Sequence, residues 1–428
     1  MTEHVRSTRL PNGAIVLTEQ MPSLRSATVG IWIRRGSRHE TAEMNGICHF
    51  IEHAVFKGTA RRTALDIAVE SDRFGGHFDA YTSHEMTGFT LKVVDRAVPQ
   101  AFDLLADMIA GPRFDAEDLE REQKVIIEEM KMVEDTPDEL LGELFVAAYF
   151  PDHSLGRPIE GVPETVSSFD HERTARFHAS AYAPHNLVIA LAGNIHHEEL
   201  VDLAVRAFAG DGEVAYSSTP LNEGDDTPPV ASAPILLRRK KELEQAHLIL
   251  AAPWPSARDE ERYAASLLGS IIGGGTSSRL WQHVREERGL AYSVGAAASQ
   301  FVDAGVFQIY AGTSPEQLDE VLDLSLAELR RTLREPVGHE ELQLVKDQTV
   351  SSILLALEST SARAGTLARQ EITHGHYVSP DEIIRRVEAV TPEEIQRIAQ
   401  KYFTTEALAV GALGNLNGFK VDRARLEI

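Results

Sequence analysis

The sequence predicts an α+β protein built from two related domains. Apolar strands and amphipathic helices follow one another in the same order in each half of the 428-residue chain, which indicates a duplicated unit. A segment rich in Gly, Ser, Asp and Pro, residues 210–234, lies near the midpoint and is typical of a linker. Hydrophobic residues make up 43% and charged residues 25% of the chain, as expected for a globular protein with a large core.

Corresponding elements of the two halves are separated by about 217 to 223 residues. The first half is predicted to contain, in order, strands at 28–33 and 88–93, a helix at 96–110 and a long charged helix at 115–133. The second half repeats this order with strands at 246–251 and 305–310, a helix at 315–333 and a further helix after Gly338. Since any α/β chain alternates strands and helices, a chance recurrence is the alternative. We predict an N-terminal domain at 1–212, a linker at 213–234 and a C-terminal domain at 235–428.

The chain is strongly acidic. Its 42 Lys and Arg residues against 65 Asp and Glu residues give a formal net charge of −23. Most of its surface should therefore repel nucleic acids and anionic membranes. This charge does not identify a substrate, but it leaves cationic peptides or metal ions as candidate partners.

The chain contains a single cysteine, Cys48, which excludes an intrachain disulfide and predicts a reducing compartment. The first residues lack the basic and apolar regions of a signal peptide, and the sequence has no stretch of about 18 or more apolar residues. We therefore expect a cytoplasmic protein with no membrane insertion. Cys48 itself is expected to be a small buried residue, and a metal ligand or redox switch is the alternative.

The most informative segment is His49-Phe50-Ile51-Glu52-His53. The surrounding apolar residues favour a partly buried helix, on which His49, Glu52 and His53 share one face. Two imidazoles one turn apart can bind one Zn²⁺ at about 2.0–2.1 Å, and the adjacent carboxylate can act as general base toward a zinc-activated water. This HxxEH pattern is the inverted form of the HExxH zinc-protease motif. A surface pair of histidines beside a glutamate is the alternative.

The long helix predicted at 115–133 offers the third ligand that a catalytic zinc site needs. Glu122 and Glu129 lie two turns apart on a face that they share with Ile126. Burying carboxylates on such a face requires compensation, which a metal provides. We therefore predict Glu129 as the third ligand and Glu122 as an outer carboxylate that orients the site. An amphipathic helix with acidic flanks is the alternative.

The segment from His49 to Thr59 resembles the zinc motif of the pitrilysin-type (M16) metallopeptidases, in particular the small-subunit type of mitochondrial processing peptidase beta and the bacterial M16B peptidases. The resemblance implies a third ligand about 76 residues after His53, which is Glu129, and an essential non-ligand carboxylate at Glu122. The second half has no HxxEH pattern where duplication would place one. We therefore expect one Zn²⁺ per chain.

Residues 74–83 resemble the family's edge strand near the zinc, on which the peptide substrate adds as a further strand. The resemblance therefore implies that six residues bind the substrate: His77, Phe78, Asp79, Ala80, Tyr81 and Thr82. The family usually has Asn where this chain has Asp79, and this change favours cationic substrates. An ordinary hairpin is the alternative.

Residues 285–293 resemble the family segment whose Arg and Tyr approach the substrate and the reacting carbonyl. These correspond to Arg285 and Tyr292, a guanidinium and a phenol that can stabilise an oxyanion. The family closes two half-shells, each of two such domains, around a chamber, and this chain has the length of one half-shell. The resemblance therefore implies a clamshell in which Arg285 and Tyr292 serve the partner's zinc. A homodimer is expected, and a heterodimer with a related subunit stays open.

These features predict a zinc-dependent endopeptidase that hydrolyses unfolded peptides or oligopeptides in a closed chamber, with Glu52 as the general base. One alternative is a peptide-binding or structural subunit that binds zinc without turnover and needs a heterodimer partner. Some relatives are structural subunits of respiratory complexes without zinc residues, but here the residue set is intact. A different metal hydrolase would need phosphate-binding loops or a second metal cluster, and the sequence shows neither.

Overall fold

The computed structural model of the protein describes residues 5–208, 227–416 and 418–428. Within these ranges the strands are β1 (Val5–Arg9), β2 (Ile15–Gln20), β3 (Ser26–Ile33), β4 (His77–Thr82), β5 (Thr87–Val94), β6 (Leu187–Gly193), β7 (Ile235–Arg239), β8 (Ala246–Trp254), β9 (Ala291–Gln300), β10 (Gly305–Thr313) and β11 (Ala409–Gly414).

Helices connect and cover these strands. They are α1 (Ile47–Ala54), α2 (Ala64–Phe74), α3 (Val98–Ala110), α4 (Ala116–Asp135), α5 (Pro137–Tyr149), α6 (Pro163–Val166), α7 (His171–Ala181), α8 (His197–Phe208), α9 (Arg262–Gly273), α10 (Leu318–Arg334), α11 (His339–Ala356), α12 (Thr360–His374), α13 (Pro380–Ala389) and α14 (Pro392–Tyr402). A π-helical turn, Trp281–Glu286, precedes β9. Among the described residues, no helix has the length and apolar character needed to cross a membrane.

The first sheet has the strand order β1-β2-β6-β3-β5-β4, so that β4 lies at an edge among the described strands. Strands β2 and β6 pair in parallel, whereas the other neighbouring strands pair antiparallel. Successive side chains of a strand point to opposite faces, and nearly all side chains of β3 and β6 are buried, so both faces of these central strands are covered. Val29 and Ile31 of β3 belong to one core cluster with residues of α1, α3 and α8, while Trp32 belongs to a second cluster with Leu367 and Ala368 of α12.

The second sheet repeats this arrangement in the order β7-β11-β8-β10-β9. Strand β8 corresponds to β3, and β9 takes the edge position that β4 has in the first sheet. Leu248 and Leu250 belong to one core cluster with residues of α9 and α10, and Ile249 belongs to another with Leu141 and Phe145 of α5. The predicted α+β class and the duplicated order of elements are confirmed.

The described residues form two units, one of 5–131, 157–208 and 354–379, and the other of 132–156, 227–353 and 380–428, apart from 417. This division differs from the predicted boundaries at 1–212 and 235–428, since each unit includes a helix from the other half of the chain. Helix α12 covers the second apolar face of the first sheet, and α5 covers that of the second. The physical reason is that a sheet with two apolar faces needs a packing layer on each. Residues 213–226 of the predicted linker lie outside the described residues.

Candidate active site

The HxxEH motif lies on α1, a short helix anchored in the first core, the buried cluster that includes Val29, Ile31 and Phe50. Ile47, Phe50 and Ile51 are completely buried, so the opposite face of the helix is left for polar side chains. The helix begins after Gly46, whose φ of +93° favours glycine. A Cβ at Gly46 would also lie 2.5 Å from the carbonyl oxygen of Glu160. The backbone conformation at the start of α1 therefore requires glycine at position 46.

His49 and His53 lie on successive turns of α1, with ring centroids 4.7 Å apart in an edge-to-face arrangement. Glu129 of α4 completes the set, because one donor atom from each of the three side chains lies within 4.8 Å of the others. Helix α4 is held in place by Ile126, which is completely buried. The structure thus brings together the three side chains that the sequence analysis predicted as ligands.

Glu122 contacts His53, one of the three predicted metal ligands, and the positively charged Lys57. His53 Nδ1 donates to Glu122 Oε2 at 3.2 Å, and Lys57 Nζ lies 2.6 Å from Glu122 Oε1. Burial would raise the pKa of Glu122, but the hydrogen bonds from His53 and Lys57 outweigh it and lower the pKa. With Nδ1 engaged, His53 Nε2 faces Glu129 Oε2 at 3.7 Å. In metal sites, a carboxylate–histidine pairing of this kind fixes the tautomer and ring orientation of the histidine.

The pKa values of the two histidines are shifted in opposite directions. Burial, together with the nearby His53, lowers the pKa of His49 to about 4, so its imidazole is neutral at pH 7. Burial would also lower the pKa of His53, but Glu122, Glu129 and Glu52 raise it. His49 Nδ1 is buried and has no hydrogen-bond partner among the described residues. A neutral imidazole, a second imidazole and a carboxylate are donors that suit Zn²⁺, and these residues fit the metal.

Glu52 lies on the same helix as the two histidines, and 9% of it is exposed. Burial raises the pKa of its carboxyl above the ordinary value, although a hydrogen bond from Thr82 opposes this effect. Thr82 Oγ1 donates to Glu52 Oε2 at 2.6 Å. A carboxylate with a raised pKa at a candidate metal centre suits a general base.

The predicted substrate strand is β4, which pairs with β5 and lies at the edge of the first sheet among the described strands. Thr82, the last residue of β4, contacts Glu52, so this end of the edge strand lies beside the predicted general base. Phe78 and Ala80 pack against the first core, whereas His77 and Asp79 are exposed. The role of these residues in substrate binding stays a prediction.

Arg285 and Tyr292 lie together in the second unit. Arg285 Nη1 donates to the carbonyl oxygen of Tyr292 at 2.9 Å. The guanidinium carbon lies 4.1 Å from the ring centroid of Trp281 and 5.0 Å from that of Tyr292. Tyr292 itself is 80% exposed. The structure therefore presents an arginine packed against two aromatic rings, and its approach to a partner's zinc stays a prediction.

The sequence analysis missed some residues that contact these side chains. Lys57 is four residues after His53, a helical spacing that could have indicated its position. Trp281 is four residues before Arg285 and offered the same signal. Glu40, whose carboxylate binds the backbone of α1, had no sequence signal. Cys48 is 2% exposed and lies in the first core, as expected for a small buried residue.

Two family models match the chain. Residues 15–162 match "Insulinase (Peptidase family M16)", and residues 168–349 match "Peptidase M16 inactive domain". An uncharacterized zinc protease of Streptomyces coelicolor is 39% identical over 92% of this chain and 86% of its own length. The uncharacterized zinc protease YmxG of Bacillus subtilis is 39% identical over 95% of this chain and 98% of its own.

Solved structures share the fold. A protease from Helicobacter pylori superposes with a TM-score of 0.86 at 22% identity, over 96% of this chain and 99% of its own. A peptidase M16 inactive domain from Pseudomonas fluorescens gives a TM-score of 0.88 at 21% identity, over 96% and 98%. With the relatives that are 39% identical over more than nine-tenths of the chain, these matches show that the chain belongs to peptidase family M16.

Proposed function

We propose that the chain is a zinc-dependent endopeptidase that hydrolyses unfolded peptides or oligopeptides. The observation that carries this proposal is the convergence of donor atoms of His49, His53 and Glu129 within 4.8 Å, beside the buried carboxylate of Glu52. The relatives named zinc proteases support the same chemistry. His49, His53 and Glu129 would hold one Zn²⁺ per chain.

The reaction depends on proton transfer by Glu52. When bound, Zn²⁺ would act as a Lewis acid that lowers the pKa of a water molecule and polarises the scissile carbonyl. Glu52 accepts a proton from the attacking water and then donates it to the leaving amine, a double role that its raised pKa favours. Thr82 orients the carboxylate of Glu52 through its hydrogen bond. Glu122 orients His53 through Nδ1.

The substrate is expected to bind along β4 as an added strand. An edge strand has backbone N–H and C=O groups free to pair with an extended peptide. The exposed carboxylate of Asp79 and the net charge of −23 favour cationic peptides. Main-chain pairing explains how one site can accept many sequences, provided that the substrate is unfolded.

A second subunit would complete the chamber. Arg285 and Tyr292 would then stabilise the oxyanion at the zinc site of the partner. Because one chain carries both the ligand set and this pair, we propose a homodimer. A heterodimer with a related subunit is the outcome to expect if the purified chain is monomeric and inactive. The cytoplasmic location stays a prediction.

Hydrolysis of a quenched fluorescent peptide of about ten residues tests the proposal. Activity should disappear with a chelator and return when zinc is added. Glu52→Gln should retain zinc and lose turnover by at least about 100-fold. The matched control is Glu128→Gln, since Glu128 is an exposed glutamate on α4 that pairs with Lys131.

Two outcomes would contradict the proposal. Turnover that persists in Glu52→Gln would exclude Glu52 as the base. A purified chain with zinc bound and no turnover on any peptide, alone or with copurifying subunits, would instead support the alternative of a peptide-binding or structural subunit.

A further inference from the structure

Backbone N–H groups at the start of α1 donate hydrogen bonds to a carboxylate from outside the helix. The residue before the helix, Gly46, has no side chain to cap the first turn, and the free N–H groups of a helix start need acceptors. Glu40 provides them. Its Oε2 accepts from the backbone N–H of Gly46 at 2.7 Å, and its Oε1 accepts from that of Cys48 at 2.8 Å.

This carboxylate is completely buried. Asn45 Nδ2 donates to Oε2 at 3.2 Å, which gives the side chain a third hydrogen bond. Burial raises the pKa of Glu40 to about 7, although these donors lower it. A buried carboxylate is costly unless it is bonded, and the positive end of the helix dipole adds to its stabilisation.

The two histidines on α1 are oriented in different ways. The ring of His53 is held by Glu122 through a hydrogen bond to Nδ1. The ring of His49 has no comparable support, since its Nδ1 lacks a hydrogen-bond partner among the described residues. His49 directly follows Cys48, whose N–H is bonded to Glu40. The position of His49 therefore depends on the first turn of α1.

We infer that Glu40 is a positioning residue, which holds the first turn of α1 and thereby sets His49 for metal binding. An isolated helix of eight residues is marginal in water, so its first turn needs external bonds to keep one geometry. This inference rests on the proposed role of His49 as a zinc ligand. It does not depend on whether the bound zinc catalyses hydrolysis.

The test measures zinc affinity by competition with a chromophoric chelator, without substrate. Glu40→Gln keeps the volume of the side chain but turns one acceptor oxygen into an NH₂ group that opposes a backbone N–H. We expect zinc binding to weaken about 10- to 100-fold, as for other residues that support metal ligands. The matched control is Glu43→Gln, because Glu43 is an exposed glutamate three residues further along the chain, and it should bind zinc like the wild type.

A role confined to stability is distinguished by comparing folded proteins. Circular dichroism and thermal unfolding with chelator present establish that Glu40→Gln is folded at the assay temperature. A folded Glu40→Gln variant with wild-type zinc affinity would overturn the inference. Glu40→Asp retains the charge but is too short to reach both N–H groups, so an intermediate affinity is expected, and wild-type affinity would count against the inference even if Glu40→Gln failed to fold.

Failure of the proposed function gives a different result. In that case the wild type would bind zinc, Glu40→Gln would bind it more weakly, and neither would cleave peptides. If Glu40→Gln bound zinc like the wild type while the wild type cleaved peptides, the inference about Glu40 would be overturned and the proposed function would stand.

Discussion

Glu122→Gln is expected to weaken zinc binding about 10- to 100-fold, although Glu122 is not one of the predicted ligands. In the structure Glu122 accepts from His53 Nδ1 at 3.2 Å and contacts Lys57 Nζ at 2.6 Å. Gln retains the shape but removes the charge that holds the His53 ring with Nε2 toward Glu129. The side chain of Glu122 is only 7% exposed, so water cannot fully replace the lost contact. The expected change corresponds to about 1.4 to 2.7 kcal/mol of binding free energy.

The assay is the same chelator competition, followed by peptide hydrolysis at saturating zinc. Glu128→Gln serves as the control, since the side chain of Glu128 is 69% exposed on the same helix. Lys57→Met supplies a second variant, and the double variant shows whether Lys57 acts through Glu122, because coupled residues give non-additive effects. Wild-type zinc affinity in Glu122→Gln would refute the argument that the His53–Glu122 contact prepares the site.

Three other predictions concern Thr82, Glu40 and α12, the helix from the second half of the chain that packs on the first sheet. The hydrogen bond from Thr82 lowers the pKa of Glu52, so Thr82→Val should raise this pKa and move the acidic limb of the pH–rate profile to higher pH. An acidic limb that does not move would show that the Thr82–Glu52 contact does not tune the base. Because burial raises the pKa of Glu40 to about 7 from 4.5, the stability it contributes is fully present below pH 4.5 and lost as pH rises through 7. Chemical unfolding of zinc-free protein should show wild-type stability falling relative to Glu40→Gln by up to about 3 kcal/mol across this interval, and a constant difference would contradict it. Leu367→Ala should destabilise the protein by about 2–5 kcal/mol, since Leu367 on α12 is 2% exposed. The control Leu355→Ala, at a 70% exposed position, should change stability by less than about 0.5 kcal/mol. Equal unfolding midpoints of the two variants would argue against the packing of α12 on the first sheet.

The spacing of residues along the chain determined the part of the site that lies on single helices. His49, Glu52 and His53 share a face of α1 because a helix has about 3.6 residues per turn, and the same geometry places Glu122 and Glu129 on one side of α4. The apolar runs at 28–33 and 246–251 likewise predicted β3 and β8, since strands buried on both faces have continuous apolar sequences. These inferences needed local periodicity and no knowledge of which elements pack together.

The tertiary structure decided the contacts between elements that are distant in sequence. Thr82 reaches Glu52 only because β4 lies beside α1, and Glu40 bonds α1 only because the chain folds back onto its first turn. The exchange of α5 and α12 was not predicted, because two similar amphipathic helices leave no local signal of which sheet each will cover. Periodicity specifies which side of an element is apolar, whereas its partner is selected by the packing of the whole chain.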